Sequence, residues 1–403
     1  MQWGVRGVHG GFRVRACWTA VGTDEDNKLS VAGGGAHKAQ FNRYDKIGPM
    51  SVVESSLLLR RDASVAFLQR RFEQLIHDVD QVNHDAAWAC TLTENIATGG
   101  KHVRSLLVHV GADRPADAEA TPDIAVGAAF DLLHAAFLVL DDVIDADEQR
   151  RGSPTIHAAA RQRATDLHGP IAGDDAAHYG TSVAILAGTA AMNEASRIII
   201  DAGAPADTTV QLMRIFHTAI TDSVFGEFMD IHHSLPGVDA SDDLIRMASR
   251  LKTSSYSFET PLISGAILAG RDWAVPHLTR LGRTIGSAYQ LADDIQSIFA
   301  PSSITGKDPA GDLIRGRATP LMALAQHTQQ WPDMVAAIAG GDLDHARTLL
   351  RRSGAVDKAH AEAEGYLDDA AAILNTEGLF SPEARTALTN VSTYIHRSLD
   401  VAR

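Results

Sequence analysis

Two cysteines among 403 residues, Cys17 and Cys90, are too few for a disulfide framework and stand in no zinc-ligand spacing. A reducing, cytoplasmic setting is the expectation. Basic residues are also in the minority, with 36 Lys and Arg against 50 Asp and Glu, for a formal charge of −14. A net acidic field disfavours a general binder of nucleic acid or of anionic membranes, so any phosphate binding has to be local. Only 14 prolines interrupt the chain, strand-like alternation is scarce, and no short-period repeat suggests a solenoid. The longest apolar run, roughly 124–140, carries Asp131 and His134. It is expected to fall short of a membrane span and to form a buried helix.

What remains is 45% hydrophobic and 21% charged, rich in helix formers such as Ala and Leu. From Met50 onward apolar residues recur at helical spacing, as in Leu57, Leu58, Val65, Leu68, Phe72, Leu75, Ile76 and Val79. Glycine and proline clusters at Gly99-Gly100, Gly152-Ser153-Pro154, Pro236-Gly237 and Gly270 punctuate the helical blocks. The expectation is one all-α domain over residues 50–403. Residues 1–49 stand apart, with Gly33-Gly34-Gly35 and no sustained period. They are expected to be unfolded, and Met50 to be an alternative translation start; a targeting segment is the lesser alternative, since no apolar signal core is present.

The chemistry concentrates in two acidic segments. The apolar run leads directly into Asp141-Asp142-Val143-Ile144-Asp145, where Asp141 and Asp145 share a helix face. A lone acidic cluster is more often a solvated helix end, but this one follows a largely apolar run, at the mouth of a core. A second pair, Asp293-Asp294, follows Tyr289-Gln290-Leu291-Ala292. Duplicated carboxylates without nearby chelating His or Cys suit Mg²⁺, which bridges carboxylates to substrate phosphates. Facing helices of a bundle can build such a site.

Basic residues fall in short groups beside these acids: Lys101 and Arg104 after Gly99-Gly100, Arg150-Arg151-Gly152, Lys252-Thr253, and Lys307 with Arg317. Singly, each is more often a surface charge. Together with two acidic segments they describe a place that holds diphosphates both directly and through metal.

This constellation, in order and spacing over residues 90–325, resembles the trans-isoprenyl diphosphate synthase (polyprenyl synthetase) family. The stretch Lys252-Thr253-Ser254-Ser255-Tyr256 through Pro261-Leu262 is particularly similar to actinobacterial geranylgeranyl diphosphate synthases. The resemblance implies a helical bundle of the isoprenoid synthase type with a central cavity, and a cytoplasmic homodimer. It implies that Asp141, Asp145 and Asp293 ligate a cluster of three Mg²⁺, with Asp142 and Asp294 supporting through water. Arg150, Lys252 and Lys307 would grip the allylic diphosphate. Lys101, Arg104, His134 and Arg151 would hold isopentenyl diphosphate. Asp230, Thr253 and Gln290 match further cavity positions, and Arg317 stands where Lys is usual. The implied reaction ionises the allylic C–O bond, condenses the cation with isopentenyl diphosphate and loses a proton.

Product length in such a family is set on the helix before the first acidic segment. Ala136 lies five residues ahead of Asp141, roughly 7 to 8 Å deeper. An aromatic there commonly stops growth at fifteen carbons; alanine, with Phe137 one position later as a floor, points to geranylgeranyl diphosphate (C20) ahead of a C15 or C25 product. The blander alternative is that Ala136 packs against a neighbouring helix. Four positions depart from the family pattern: Ser297 for an acid, His102 for Arg, Glu227 for Gln and Thr189 for Asp. His232-His233 completes no zinc triad at helical spacing. A terpene cyclase of the same fold would need only the acidic segments, whereas Lys101, Arg104 and Arg151 persist. A non-catalytic subunit would have lost acids or arginines, and only Ser297 suggests that. A helical scaffold with solvated acids is the rival outside the fold's enzymes.

Overall fold

The computed structural model describes residues 56–115, 121–169, 171, 173–235, 237, 238, 240–300 and 311–402. The expectations for residues 1–49 and for Lys307 lie outside the described residues. The elements are α1 (Ser56–Asp80), α2 (His84–Ala97), α3 (Val103–Ala112), α4 (Thr121–Ile144), strands β1 (Gln149–Arg150) and β2 (Ser153–Pro154), α5 (Ile156–His168), α6 (Gly173–Ile200), α7 (Ala206–His233) and α8 (Asp242–Ser249). A π-helical segment, Arg250–Glu259, runs on into α9 (Thr260–Leu268). Then come α10 (Val275–Phe299), α11 (Gly311–Ile314), α12 (Pro320–Gln326), α13 (Trp331–Ala339), α14 (Leu343–Arg352), α15 (Ala355–Leu374) and α16 (Pro382–Leu399).

Helix starts follow from local chemistry. Asn83 accepts from the Ala86 amide at 2.8 Å at the head of α2, Ser241 accepts from Leu244 at α8, and Ser381 accepts from Ala384 at α16. Such caps satisfy amides that the helix itself leaves without partners.

Two apolar clusters organise the helices. One surrounds α4, where Phe130, Leu132, Leu133 and Ala136 are fully buried and Phe130 meets Phe216 of α7 edge-on at 5.2 Å. The other surrounds α10, where Leu278, Leu281, Ile285 and Ile295 are buried against α15 and α16 residues such as Ala359 and Leu388. Each fully buried Leu, Ile or Phe contributes on the order of 2 kcal/mol. Each long helix is thus held in a cluster, and both end in an acidic segment.

The apolar run needs one correction. Pro122–Ile144 continues for 23 residues with a mean hydropathy of 1.8 over its most apolar 18, and Gly173–Ile200 also passes by length and composition as a possible membrane span. In the sequence the acidic residues of the first run suggested a shorter element. In the fold most of α4 is buried by other helices, and its Asp131 is bonded to His102 and to the Ser105 amide.

Candidate active site

At the end of α4, Asp142 is almost fully buried, and its oxygens accept from Arg150 Nε at 2.7 and 2.9 Å. Arg150 Nη2 adds a contact to Asp142 at 2.5 Å and lies 3.8 Å from Asp141. Arg150 is placed by the β1–β2 hairpin, which pairs Arg150 with Ser153. Its turn is Arg151-Gly152, both at positive φ of 52° and 76°. That backbone suits a two-residue hairpin turn, and it sends the neighbouring arginines to different partners. Burial alone would lower the Arg150 pKa; Asp142 and Asp141 raise it overall. Asp142 therefore serves Arg150 in this arrangement.

Asp141 faces the π-helical segment, and Asp145 faces Arg317. Lys252 Nζ stands 3.4 Å from Asp141, 2.6 Å from Glu227 and 2.9 Å from Asp230. Burial would depress the Lys252 pKa, but the three carboxylates push it well above its usual value. Arg317, between α11 and α12, is against Asp145, donates to Asp230 at 2.5 Å and lies 4.0 Å from Glu227. Burial lowers the Arg317 pKa.

Two backbone features permit this crowding. The π turn closes from the Thr260 amide to the Ser255 carbonyl, a wider loop than an α-helix makes and one frequent at functional sites. Gly226 lies under it: a Cβ there would sit 2.2 Å from the Lys252 amide nitrogen. Only glycine lets α7 bring Glu227 and Asp230 so close to Lys252.

The second acidic segment is built differently. Asp294 is 3% exposed; one oxygen accepts from Gln290 Nε2 at 2.9 Å and the other from the Leu321 amide at 3.3 Å. Gln290, expected in the cavity, thus holds Asp294. Asp293 on the same turn is exposed. Its charge, followed by burial, pushes the Tyr289 phenol pKa up. Ser297 donates to the Asp294 carbonyl at 2.9 Å.

A separate cationic group forms around α3. Tyr256, on the π-helical segment, is its hub: its hydroxyl lies 3.2 Å from both Arg104 Nη2 and His134 Nδ1, and its ring lies under the Arg104 guanidinium at 4.8 Å. Arg104 also donates to Ser257 at 2.6 Å. Arg151 donates to the Gly99 carbonyl at 3.0 Å and lies against Gly100, whose φ of 117° excludes most side chains. Burial, then Arg104, Arg151 and Arg150, hold the His134 pKa well below its usual value, so it offers a neutral imidazole. His102, in the left-handed region at φ 51°, contacts Asp131 at 2.9 Å and the Thr98 carbonyl at 3.1 Å. It fixes the Gly-Gly-Lys loop in place of the more frequent arginine. Lys101 is exposed and stands 3.7 Å from the centre of the Tyr394 ring.

Thr253 follows Lys252, half-buried. Ala136 has no exposed surface and sits in the α4 cluster, while Phe137 is half-buried and meets Tyr256 edge-on at 4.8 Å. His232 stacks on Phe228 at 6.3 Å on the outer side of α7. Tyr256, Tyr394, Asp131 and Arg315, which reaches the Asp145 carbonyl at 3.3 Å and Asp147 at 3.0 Å, are additions that the sequence reading did not place. Tyr256 stands within the stretch 252–262; Tyr394 has no local signal.

The acidic end is rich in carboxylate oxygens. Lys252 and Arg317 are shared among the carboxylates Asp141, Asp145, Glu227 and Asp230, leaving negative charge in surplus. The Glu227 pKa is raised by burial and by Asp141 and Asp230, against the pull of Lys252. Oxygen donors with unspent charge are what magnesium prefers. Among the described residues no three His, Cys, Asp or Glu side chains are grouped so as to hold an ion by themselves.

The profile of the polyprenyl synthetase family matches residues 86–347. Nonaprenyl diphosphate synthase of Mycobacterium tuberculosis is 28% identical over 74% of this chain and 82% of its own length. Geranylfarnesyl diphosphate synthase of Aeropyrum pernix is 28% identical over 74% of this chain and 91% of its own. The crystal structure of geranylgeranyl pyrophosphate synthase from Corynebacterium glutamicum, complexed with isoprenyl diphosphate and magnesium, superposes with a TM-score of 0.76. It is 26% identical, over 85% of this chain and 99% of that one. The bundle is the all-α isoprenoid synthase fold, and the chain belongs to the polyprenyl synthetase family.

Proposed function

We propose that this prenyltransferase condenses isopentenyl diphosphate with allylic diphosphates of five to fifteen carbons, in the presence of Mg²⁺, to give trans geranylgeranyl diphosphate. The observation that carries the reading is the pair of neighbouring, chemically distinct groups: acids with Lys252, Arg150 and Arg317 on one side, and Lys101, Arg104, Arg151 and neutral His134 on the other. A terpene cyclase has no second diphosphate for the latter to bind.

Asp141, Asp145 and Asp293 would hold the magnesium ions, three by the family's pattern, with Asp142 and Asp294 orienting the elements behind them. Bound magnesium would neutralise charge on the departing allylic diphosphate. Lys252, with Arg150, Arg317 and Lys307, orients that diphosphate; Lys252 stays protonated throughout because three carboxylates surround it. Thr253 supplies a hydroxyl beside Lys252. Arg104 and Arg151 aim the second diphosphate, and His134 donates or accepts without adding charge. The apolar wall that includes Phe137 keeps water from the allylic cation. The proton lost on condensation goes to the departed diphosphate.

Alanine at 136, by the family's pattern, supports a C20 product, and Phe137, four residues ahead of Asp141 and edge-on to Tyr256, is the second position that limits length. Exposed Ile185 and Leu186 on α6, with Phe225 and Phe228 on α7, support a homodimer, which light scattering would register. The low cysteine content supports a cytoplasmic location.

Incubation with labelled isopentenyl diphosphate and farnesyl diphosphate should give C20 product with Mg²⁺ and none with EDTA. Ala136→Phe should shorten the product to C15. Folded protein without turnover defeats the reading, and unchanged length in Ala136→Phe defeats the chain-length part alone.

A further inference from the structure

The C-terminal helix α16 lies outside every motif that carries the site, yet it is fastened along α3. At its start, the Ser381 amide and hydroxyl donate to the two carboxylate oxygens of Asp113, at 2.8 and 2.5 Å. Asp113 closes the C-terminal end of α3. Tyr394 lies about 20 Å further along α16 at about 1.5 Å per residue, where it meets Lys101 just ahead of the other end of α3. The Lys101 ammonium stands 3.7 Å from the centre of that ring. Tyr394 is half-buried and packs, with Val391, on the cluster that also carries Val103, Leu106 and Tyr289. The ring is therefore fixed, while the lysine comes from an exposed loop position.

We propose that Tyr394 is a positioning residue for isopentenyl diphosphate: its ring face holds the Lys101 ammonium where the incoming diphosphate needs it, making α16 a specificity element of that half-site. A free lysine side chain samples many rotamers and loses that freedom when it engages an anion. A cation held over an aromatic face has given up much of it beforehand. The ring supplies no hydrogen bond to the ligand, so its effect falls on affinity for one substrate and not on the chemical step. The inference rests on the proposed function above.

The test compares Tyr394→Phe with Tyr394→Leu, alone and on a Lys101→Ala background, in steady-state assays that vary each substrate. Tyr394→Leu should raise KM for isopentenyl diphosphate about fivefold, with kcat and the allylic KM within about twofold. Tyr394→Phe, which keeps the ring, should stay near wild type. On Lys101→Ala, Tyr394→Leu should add nothing. Should the leucine variant fail to fold, Tyr394→Met takes its place. An unchanged KM, a loss equal for both substrates, a phenylalanine variant as poor as leucine, or additive effects with Lys101→Ala each overturn the inference while wild-type turnover stands. A wild-type protein that neither turns over nor binds isopentenyl diphosphate by calorimetry overturns the proposed function and this inference with it.

Discussion

The two acidic segments end two long helices and look alike in sequence, but their buried aspartates are held by opposite means. Asp142 is met by a guanidinium, with Arg150 donating to both of its oxygens. Asp294 accepts from neutral donors, the Gln290 amide and the Leu321 backbone N–H. The first arrangement links charge to charge and brings the β1–β2 hairpin to the site. The second fastens the start of α12 under the end of α10. One segment gathers Arg150, Lys252 and Arg317 around itself; in the other Asp293 is exposed.

The largest test of this contrast is removal of the outward charges. Asp141→Asn and Asp293→Asn should each lower kcat/KM by about a hundredfold to a thousandfold, roughly 3 to 4 kcal/mol of transition-state stabilisation. They should differ in metal dependence. Asp141 also neutralises Lys252, so its loss changes how the cation is held as well as the carboxylate supply. Raising Mg²⁺ should therefore recover more activity in Asp293→Asn than in Asp141→Asn. Equal recovery would show that the partners of the first segment do not matter.

A smaller effect is expected from the inner aspartates, and mainly on stability. Asp142→Asn takes from partly buried Arg150 the carboxylate it donates to and leaves Asp141 at 3.8 Å, which costs about 3 kcal/mol. Asp294→Asn keeps one acceptor oxygen but turns an NH₂ toward a donor, at about 1 to 3 kcal/mol. Chemical denaturation should thus rank Asp142→Asn below Asp294→Asn in unfolding free energy. The reverse order would mean that Arg150 finds another acceptor, with Asp141 the nearest.

These contrasts mark how far the sequence was legible. Periodicity and the Gly and Pro clusters anticipated a helical domain, because one apolar face per helix suffices to define an element. The segments 141–145 and 293–294, Lys252, Arg104 and Arg150 were readable as ordered motifs. Other features depend on distance across the fold. Tyr394 meets Lys101 only because α16 lies along α3, and nothing near position 394 announces it. The π turn at 250–259 arises where the chain packs on Gly226, so residue propensity does not reveal it. Asp142 and Gln290 carry motif letters that suggest ligand contact, while their side chains face Arg150 and Asp294.

The smallest effect is expected at Ser297, where an acid would complete the second segment. Ser297 stands four residues after Asp293 and donates to the Asp294 carbonyl within its own helix at 2.9 Å. Replacing that hydroxyl by a carboxylate places like charges at helical spacing, which costs a few tenths of a kcal/mol without a cation between them. It also adds an oxygen donor one helical turn from exposed Asp293. The two consequences oppose each other, so Ser297→Asp should stay within about twofold of wild type in kcat/KM at saturating Mg²⁺. The same variant titrated with Mg²⁺ distinguishes the outcomes. A curve that shifts to lower concentration by about tenfold would show that the second segment is short of carboxylate, and that the completeness of the first does not compensate for it.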